Sequence, residues 1–397
     1  MRLRRVIVIS CATVVLGACT ALPSGVAPNP NANANGSGPT VGSQLVLPPA
    51  DLSVQWSTTL TANATRPAVV GTRAFFTDGP MISAVDLTSG QVIWSRDFSA
   101  NGIRFGPPIA AQGRVLTAAS SAGFGGTYSF DVDGANSGSV GFHQFVNEIA
   151  ADGPLNATVS GSYGSGTPVL TTLNFAGTWY LGFGNGPASG PISITGGRAF
   201  MAVSGAVLGF DPNAPCVALP PPFPFSYCVR TWSQSIPGAQ IVSNAGHGKV
   251  AVASTNGTVS VLDGATGALQ FTTANAGTVL SASAHSGQDR LFTTGADGVM
   301  RVYDASGCQA PPCSPLWTGN VGTGSGVAPT VSKAKVYVAT NDGRLVVFGA
   351  AGCAASVCEP IAVGNSGTGL PATAKPLIVG GVALATFGNQ IYAFTTA

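Results

Sequence analysis

Six of the eight cysteines in this 397-residue chain stand in three local pairs. Cys308 and Cys313 bracket Gln-Ala-Pro-Pro, Cys353 and Cys358 bracket Ala-Ala-Ser-Val, and Cys216 and Cys228 bracket a longer, Pro-rich stretch. Thiols so spaced can be oxidised to each other or can ligate zinc, which needs about four converging ligands. The other metal-binding and catalytic types are sparse. His143, His247 and His285 are the only histidines, they form no paired motif, and no Ser or Cys stands in a recognisable nucleophile context. The stretch FDVDGANSGS, from Phe130 to Ser139, opens like a calcium loop. It places Ala135 where an oxygen ligand belongs and lacks the closing Glu, so it reads as a polar turn. No Gly-rich segment precedes a helical pattern, which removes phosphate-loop chemistry.

The elements that must position these residues are read from composition. Hydrophobic residues make up 45% of the chain and charged ones 8%, with 54 Gly and 28 Pro. Low charge at this apolar content argues against disorder, and recurrent Gly, Ser, Thr and Val with frequent turn residues favours an all-β fold. The formal charge of +2 falls to −1 once Arg2, Arg4 and Arg5 are set aside with the N-terminus. A nearly neutral body carries no electrostatic footprint for nucleic acid and no basic patch for anionic lipid.

MRLRRVIVISCATVVLGAC is a basic lead followed by an apolar stretch too short to span a membrane as a helix. Its end, Leu16-Gly17-Ala18-Cys19, resembles the lipobox of bacterial lipoproteins. That resemblance implies a signal peptide over residues 1–18, cleavage before Cys19 and lipidation of its thiol. Residues 19–50 hold no charged residue and much Pro, Asn, Gly and Ser, the composition of a flexible tether. The folded body is then 51–397.

Within that body a unit recurs. AVDLTSGQVIW (Ala84 to Trp94) and VLDGATGALQF (Val261 to Phe271) share an Asp, a Gly four residues on and an aromatic four residues further. Each follows an alternating strand and a tight turn, and the pairs Asp78-Gly79, Asn256-Gly257, Asp297-Gly298 and Asp342-Gly343 are hairpin signals. The unit resembles the repeat of PQQ-like (quinoprotein-like) β-propellers, with Asp86, Gly90 and Trp94, then Asp263 and Gly267, then Asp304, in the repeat positions. Trp94, Trp232 and Trp317 take the outer-strand aromatic place. The resemblance implies an all-β propeller of four-stranded antiparallel blades. Repeat starts near Pro67, Pro107, Pro191, Gln240, Ser281, Pro329 and Pro371 give eight blades if a degenerate repeat fills the gap after Pro107, and seven if that gap is an insertion. The last repeat lacks its outer strand, and SVQWSTTL (Ser53 to Leu60), with Trp56, is expected to supply it and close the ring.

Aligned on this repeat, each cysteine pair falls in the connection between third and outer strands, in place of the Asp-to-Gly turn. The pairs therefore lie on different blades, which disfavours one zinc site, and Cys216–Cys228, Cys308–Cys313 and Cys353–Cys358 are expected as disulfides. Each short loop would gain roughly 2–3 kcal/mol in the chain-entropy account. Disulfides belong outside the cytoplasm, as does a lipobox. Quinone enzymes of the resembled family place two adjacent cysteines against the cofactor and hold calcium beside a catalytic aspartate; no two cysteines here are adjacent. The expectation is thus a non-catalytic, membrane-anchored body of BamB-like architecture without cofactor, metal or nucleic-acid partner. It would be monomeric and would bind protein partners at the cell envelope, with an outer-membrane assembly factor or a small-ligand or glycan sensor as narrower versions. A quinone-dependent dehydrogenase ranks last.

Overall fold

The computed structural model describes residues 48–397, apart from the segments 152–156, 164–166, 174–178, 184–192, 219–225 and 274–289 and some single positions or pairs between strands. The expected signal peptide, Cys19 and nearly all of the expected tether lie outside the described residues. Ala50, the last tether residue by sequence, already belongs to a strand, Ala50–Leu52.

The described strands form eight sheets, which follow one another along the chain as blades 1 to 8. Blade 1 spans residues 68–97, blade 2 104–143, blade 3 146–183, blade 4 193–235, blade 5 239–272, blade 6 290–320, blade 7 330–365 and blade 8 372–395. Successive strands within a blade are antiparallel. The degenerate region after Pro107 is thus a sheet of its own, Val146–Ala151 to Trp179–Phe183. Where blade 6 would have its innermost strand, residues 274–289 lie outside the described residues.

Apolar side chains that alternate along the middle strands fill the joints between blades. Phe75, Ile82 and Ala84 of blade 1 pack with Phe105, Val115 and Phe130 of blade 2. Equivalent clusters join blades 4 and 5, 5 and 6, 6 and 7, and 7 and 8. Ala74 and Phe76 of blade 1 meet Leu384 and Ile391 of blade 8, so the ring closes. The closure uses the N-terminal strand as expected: Val54–Thr59 pairs antiparallel with Gln390–Thr395 and becomes the outer strand of blade 8. Pairing the two ends of the chain removes two free sheet edges.

Candidate interaction surface at the blade joints and outer rim

The repeat aspartates hold the turn before each outer strand. Asp86 Oδ1 accepts from the backbone N–H groups of Thr88 and Ser89, both 2.9 Å away, and from the Ser89 hydroxyl. Asp263 repeats this with Ala265, Thr266 and the Thr266 hydroxyl at 2.8 Å. Asp304 accepts from the Ser306 N–H and hydroxyl. The bonds from Ser89 hold the Asp86 carboxyl below the usual aspartate range, and those from Thr266 do the same for Asp263. These carboxylates are therefore committed to turn geometry.

Each turn ends in a glycine with positive φ, and that glycine carries the ring of the preceding blade. Gly90 lies under Trp56 of blade 8, Gly134 under Trp94 of blade 1, and Gly267 under Trp232 of blade 4, so close that a Cβ would stand 2.5–2.9 Å from ring carbons. The indole N–H then donates to the carbonyl just after the repeat aspartate. Trp56 Nε1 bonds Leu87 O at 2.8 Å, Trp94 Nε1 bonds Val132 O at 3.1 Å, and Trp232 Nε1 bonds Gly264 O at 3.0 Å. The aromatic of one repeat is thus a latch onto the turn of the next.

A basic residue that the sequence reading passed over strengthens the same place. Arg73, Lys249 and Arg290 open the second strands of their blades directly opposite Asp86, Asp263 and Asp304. Arg114 pairs with Asp131 at 2.5 Å and Arg198 with Asp211 at 3.1 Å. Arg73 also reaches the next blade, donating to Val132 O at 2.7 Å, and Lys249 donates to Ala305 O at 2.8 Å. The recurrent Arg or Lys before an apolar run was the available signal.

The cysteine loops do something different. Cys308 and Cys313 are bonded, as are Cys353 and Cys358, each pair with Cα atoms 5.6 Å apart. Cys216 and Cys228 sit opposite each other in an antiparallel register; their side chains lie outside the described residues. Each loop reaches back to the outer edge of the preceding blade. Val357–Cys358 of the blade 7 loop runs parallel to Trp317–Asn320, the outer strand of blade 6. Ser226–Cys228 of the blade 4 loop runs parallel to Trp179–Phe183 of blade 3. The blade 6 loop bridges Cys313 to Thr273, beside the outer strand of blade 5, with Cys313 N–H donating to Thr272 O at 2.7 Å. At blade 7 the N-terminal strand takes this part, Ala50–Leu52 lying parallel to Ala362–Asn365.

Where a cysteine loop replaces the turn, the latch changes. Gly307, just before Cys308, receives Phe271, which has no N–H to place. Gly352, just before Cys353, receives Trp317, whose buried Nε1 finds no partner. Among the described residues, short turns therefore come with a bonded tryptophan and an outer edge on which no strand pairs, and pinched loops with a covered edge.

Asp131 and Asp133, the pair in the calcium-like stretch, face a shallow groove between blades 1 and 2 with Arg73 and Val132. Asp131 is engaged by Arg114, and Asp133 accepts from the Ala135 N–H at 2.9 Å. Among the described residues no three His, Cys, Asp or Glu side chains come together in a metal-binding cluster. His143 ends a strand of blade 2 with its side chain outside the described residues, as are His247 and His285 entirely.

Residues 229–396 match a PQQ-repeat family described as outer membrane protein assembly factor BamB. These are PQQ-like propeller repeats. Among solved structures, a computationally designed protein superposes with a TM-score of 0.66 at 11% identity, over 85% of this chain and 98% of its own. BamB from Moraxella catarrhalis gives 0.61 at 12% identity, over 87% and 100%. A quinohemoprotein alcohol dehydrogenase from Pseudomonas putida gives 0.62 at 12% identity, over 88% and 77%. At such identities the likeness concerns the β-propeller fold alone. No curated protein matches the sequence.

Proposed function

We propose that this PQQ-like propeller is a non-catalytic scaffold for protein partners, held outside the cytoplasm by a lipid on Cys19. The observation that carries the reading is where the recurrent chemistry goes. Asp86 and Asp263 close turns, Trp56, Trp94 and Trp232 latch blades, and Arg114 and Arg198 pair with the aspartates opposite. Polar side chains spent this way build a stiff ring, and a stiff ring suits a body whose work is done by its rim and faces. The match of residues 229–396 to the BamB family supports a narrower role in assembling outer-membrane proteins, and the disulfides agree with an oxidising compartment.

The test is chemical crosslinking on the native membrane fraction, with mass spectrometry of the partners and of the intact chain. Recovery of a stable set of envelope proteins, together with a diacylglycerol-sized mass on a chain beginning at Cys19, is expected. A chain that stays soluble at its full translated mass would overturn the anchor. A purified chain that turns over an alcohol with an added quinone cofactor would overturn the non-catalytic reading.

A further inference from the structure

Cys308–Cys313 and Cys353–Cys358 close loops of equal length, with a sequence separation of 5 each, at equivalent places in blades 6 and 7. In both, one cysteine lies open and the other does not. Cys308 and Cys353 are exposed, whereas Cys313 and Cys358 are buried in the joint with the preceding blade. We propose that Cys353–Cys358, and not Cys308–Cys313, is a reducible bond: a site of exchange with a dithiol that releases the blade 7 loop from the edge of blade 6.

Loop-closure entropy does not distinguish the two, because it depends on the number of residues closed. The folded protein does. Trp317 lies on Gly352, one residue before Cys353, and is buried, yet its Nε1 has no partner. Where short turns stand, the same N–H donates to the carbonyl just after the repeat aspartate. Gly349, opposite Lys335, takes the aspartate's place in blade 7, so the carbonyl that Trp317 does not reach is Ala350 O. A buried donor without a partner is a cost carried by the folded, oxidised chain. Ala354, inside the loop, adds another: its φ is +63°, a conformation that a residue with a Cβ rarely adopts.

The loop at 308–313 carries neither cost. Phe271 lies on Gly307 with no N–H to satisfy, and among the described residues of that loop no non-glycine residue has a positive φ. Pro311 and Pro312 also limit the freedom that this loop regains when its bond opens, whereas Ala-Ala-Ser-Val stands between Cys353 and Cys358.

The step is a two-electron exchange. A thiolate of the dithiol attacks Cys353 Sγ, on the open side. The Cys353–Cys358 bond breaks, and its electron pair leaves with Cys358 Sγ, which takes up a proton. The dithiol's second thiol, as its thiolate, attacks the mixed disulfide; Cys353 Sγ leaves and is protonated, and the reagent departs as an intramolecular disulfide. Blade 6 then loses its cover, since Thr318 N–H donates to Ser356 O at 2.8 Å and Thr318 and Gly319 pair with Val357 and Cys358. The freed loop settles into the short turn, with Trp317 Nε1 on Ala350 O.

The test exposes the purified, oxidised chain to buffers of rising reduced-to-oxidised dithiothreitol ratio, alkylates free thiols and reads each cysteine by peptide mass spectrometry. Cys353 and Cys358 should be half alkylated at a ratio about tenfold below that for Cys308 and Cys313, the size expected of one orphaned buried donor. Exchange of the Thr318 N–H should quicken over the same range. Trp317→Phe removes the orphan, and Ala354→Asn installs a residue more tolerant of positive φ. Each should move the Cys353–Cys358 midpoint up toward that of the other pair. Coincident midpoints or the reverse order in the unaltered chain would overturn the assignment, as would opening of Cys353–Cys358 only together with global unfolding. Midpoints that differ but move in neither variant would overturn the cause. A reduced pair with Thr318 exchange unchanged would overturn the release of blade 6.

Discussion

Trp232 of blade 4 lies flat on Gly267 of blade 5, with the position of a Cβ on that glycine only 2.5 Å from the ring. On its other side the ring covers Gly209 of its own blade, where a Cβ would stand 2.2 Å away. The indole is therefore held between two residues that have no side chains, and its N–H is aimed at Gly264 O. A repeat that fixes Gly and an aromatic four residues apart in sequence is reporting contacts made one blade away.

Gly267→Ala should be among the most damaging single-methyl changes in the chain. The residue has φ of +75°, which L side chains rarely adopt, and the added methyl meets an aromatic ring clamped from behind. Backbone strain and overpacking each cost about 1–3 kcal/mol. The expected loss is at least about 2 kcal/mol in chemical denaturation. Gly71→Ala is the control, since it shares a positive φ with nothing within 4 Å. Equal losses in the two variants would remove the ring contact from the explanation.

Trp232→Phe and Trp317→Phe separate the hydrogen bond from the packing. Both lose the same volume in buried joints, yet only Trp232 gives up a bond, because Trp317 Nε1 has no partner. Trp232→Phe should cost more, by about 1 kcal/mol. Matching denaturation midpoints for the two variants would mean that the latch bond adds nothing.

The repeat and the closing strand were legible because both follow from local pattern, whereas the Gly-rich stretch after Pro107 left the number of blades open between seven and eight. Asp86, Gly90 and Trp94 stand at fixed spacing within one repeat, and Trp56 carries the mark of the strand the last repeat lacks. The destination of the cysteine loops was not legible. Aligning Cys308 and Cys353 with the ordinary turn places them correctly in chain order, but the strand they cover belongs to the blade before. That choice depends on an edge some forty residues upstream, as Val357–Cys358 on Trp317–Asn320 shows. Nor could spacing alone show that Arg73 and Lys249 cross to Val132 O and Ala305 O, since those carbonyls belong to the next blade.

Cutting the Cys353–Cys358 bond should loosen blade 6 more than blade 7. The loop that it pinches is closed by a few residues only, so Cys353→Ser with Cys358→Ser should lower stability by about 2 kcal/mol in the chain-entropy account. The local readout is more telling. Thr318 N–H donates to Ser356 O at 2.8 Å, so its exchange should speed up in the variant, while Val336 and Val346 in the core of blade 7 should keep theirs. Faster exchange across all of blade 7 with Thr318 unchanged would mean that the disulfide serves its own blade and not its neighbour's edge.

Acid should weaken the ring through the turn aspartates. Asp86 and Asp263 have carboxyls held below the usual range, chiefly by bonds from Ser89 and Thr266, and Asp97 by the Ser99 N–H. A depressed folded-state pKa gives stability that is complete above the unfolded value, about 3.9 for aspartate, and is lost as pH falls through the lower folded value. Denaturation midpoints should therefore hold from neutral pH down to about 4 and then drop. Asp86→Asn with Asp263→Asn should begin from a lower midpoint at neutral pH, because a charged acceptor has become a neutral one, and should decline less steeply in acid. If both proteins lose stability with the same slope below pH 4, the two carboxylates do not act through their turn bonds, and the depressed pKa values have no part in holding the blades.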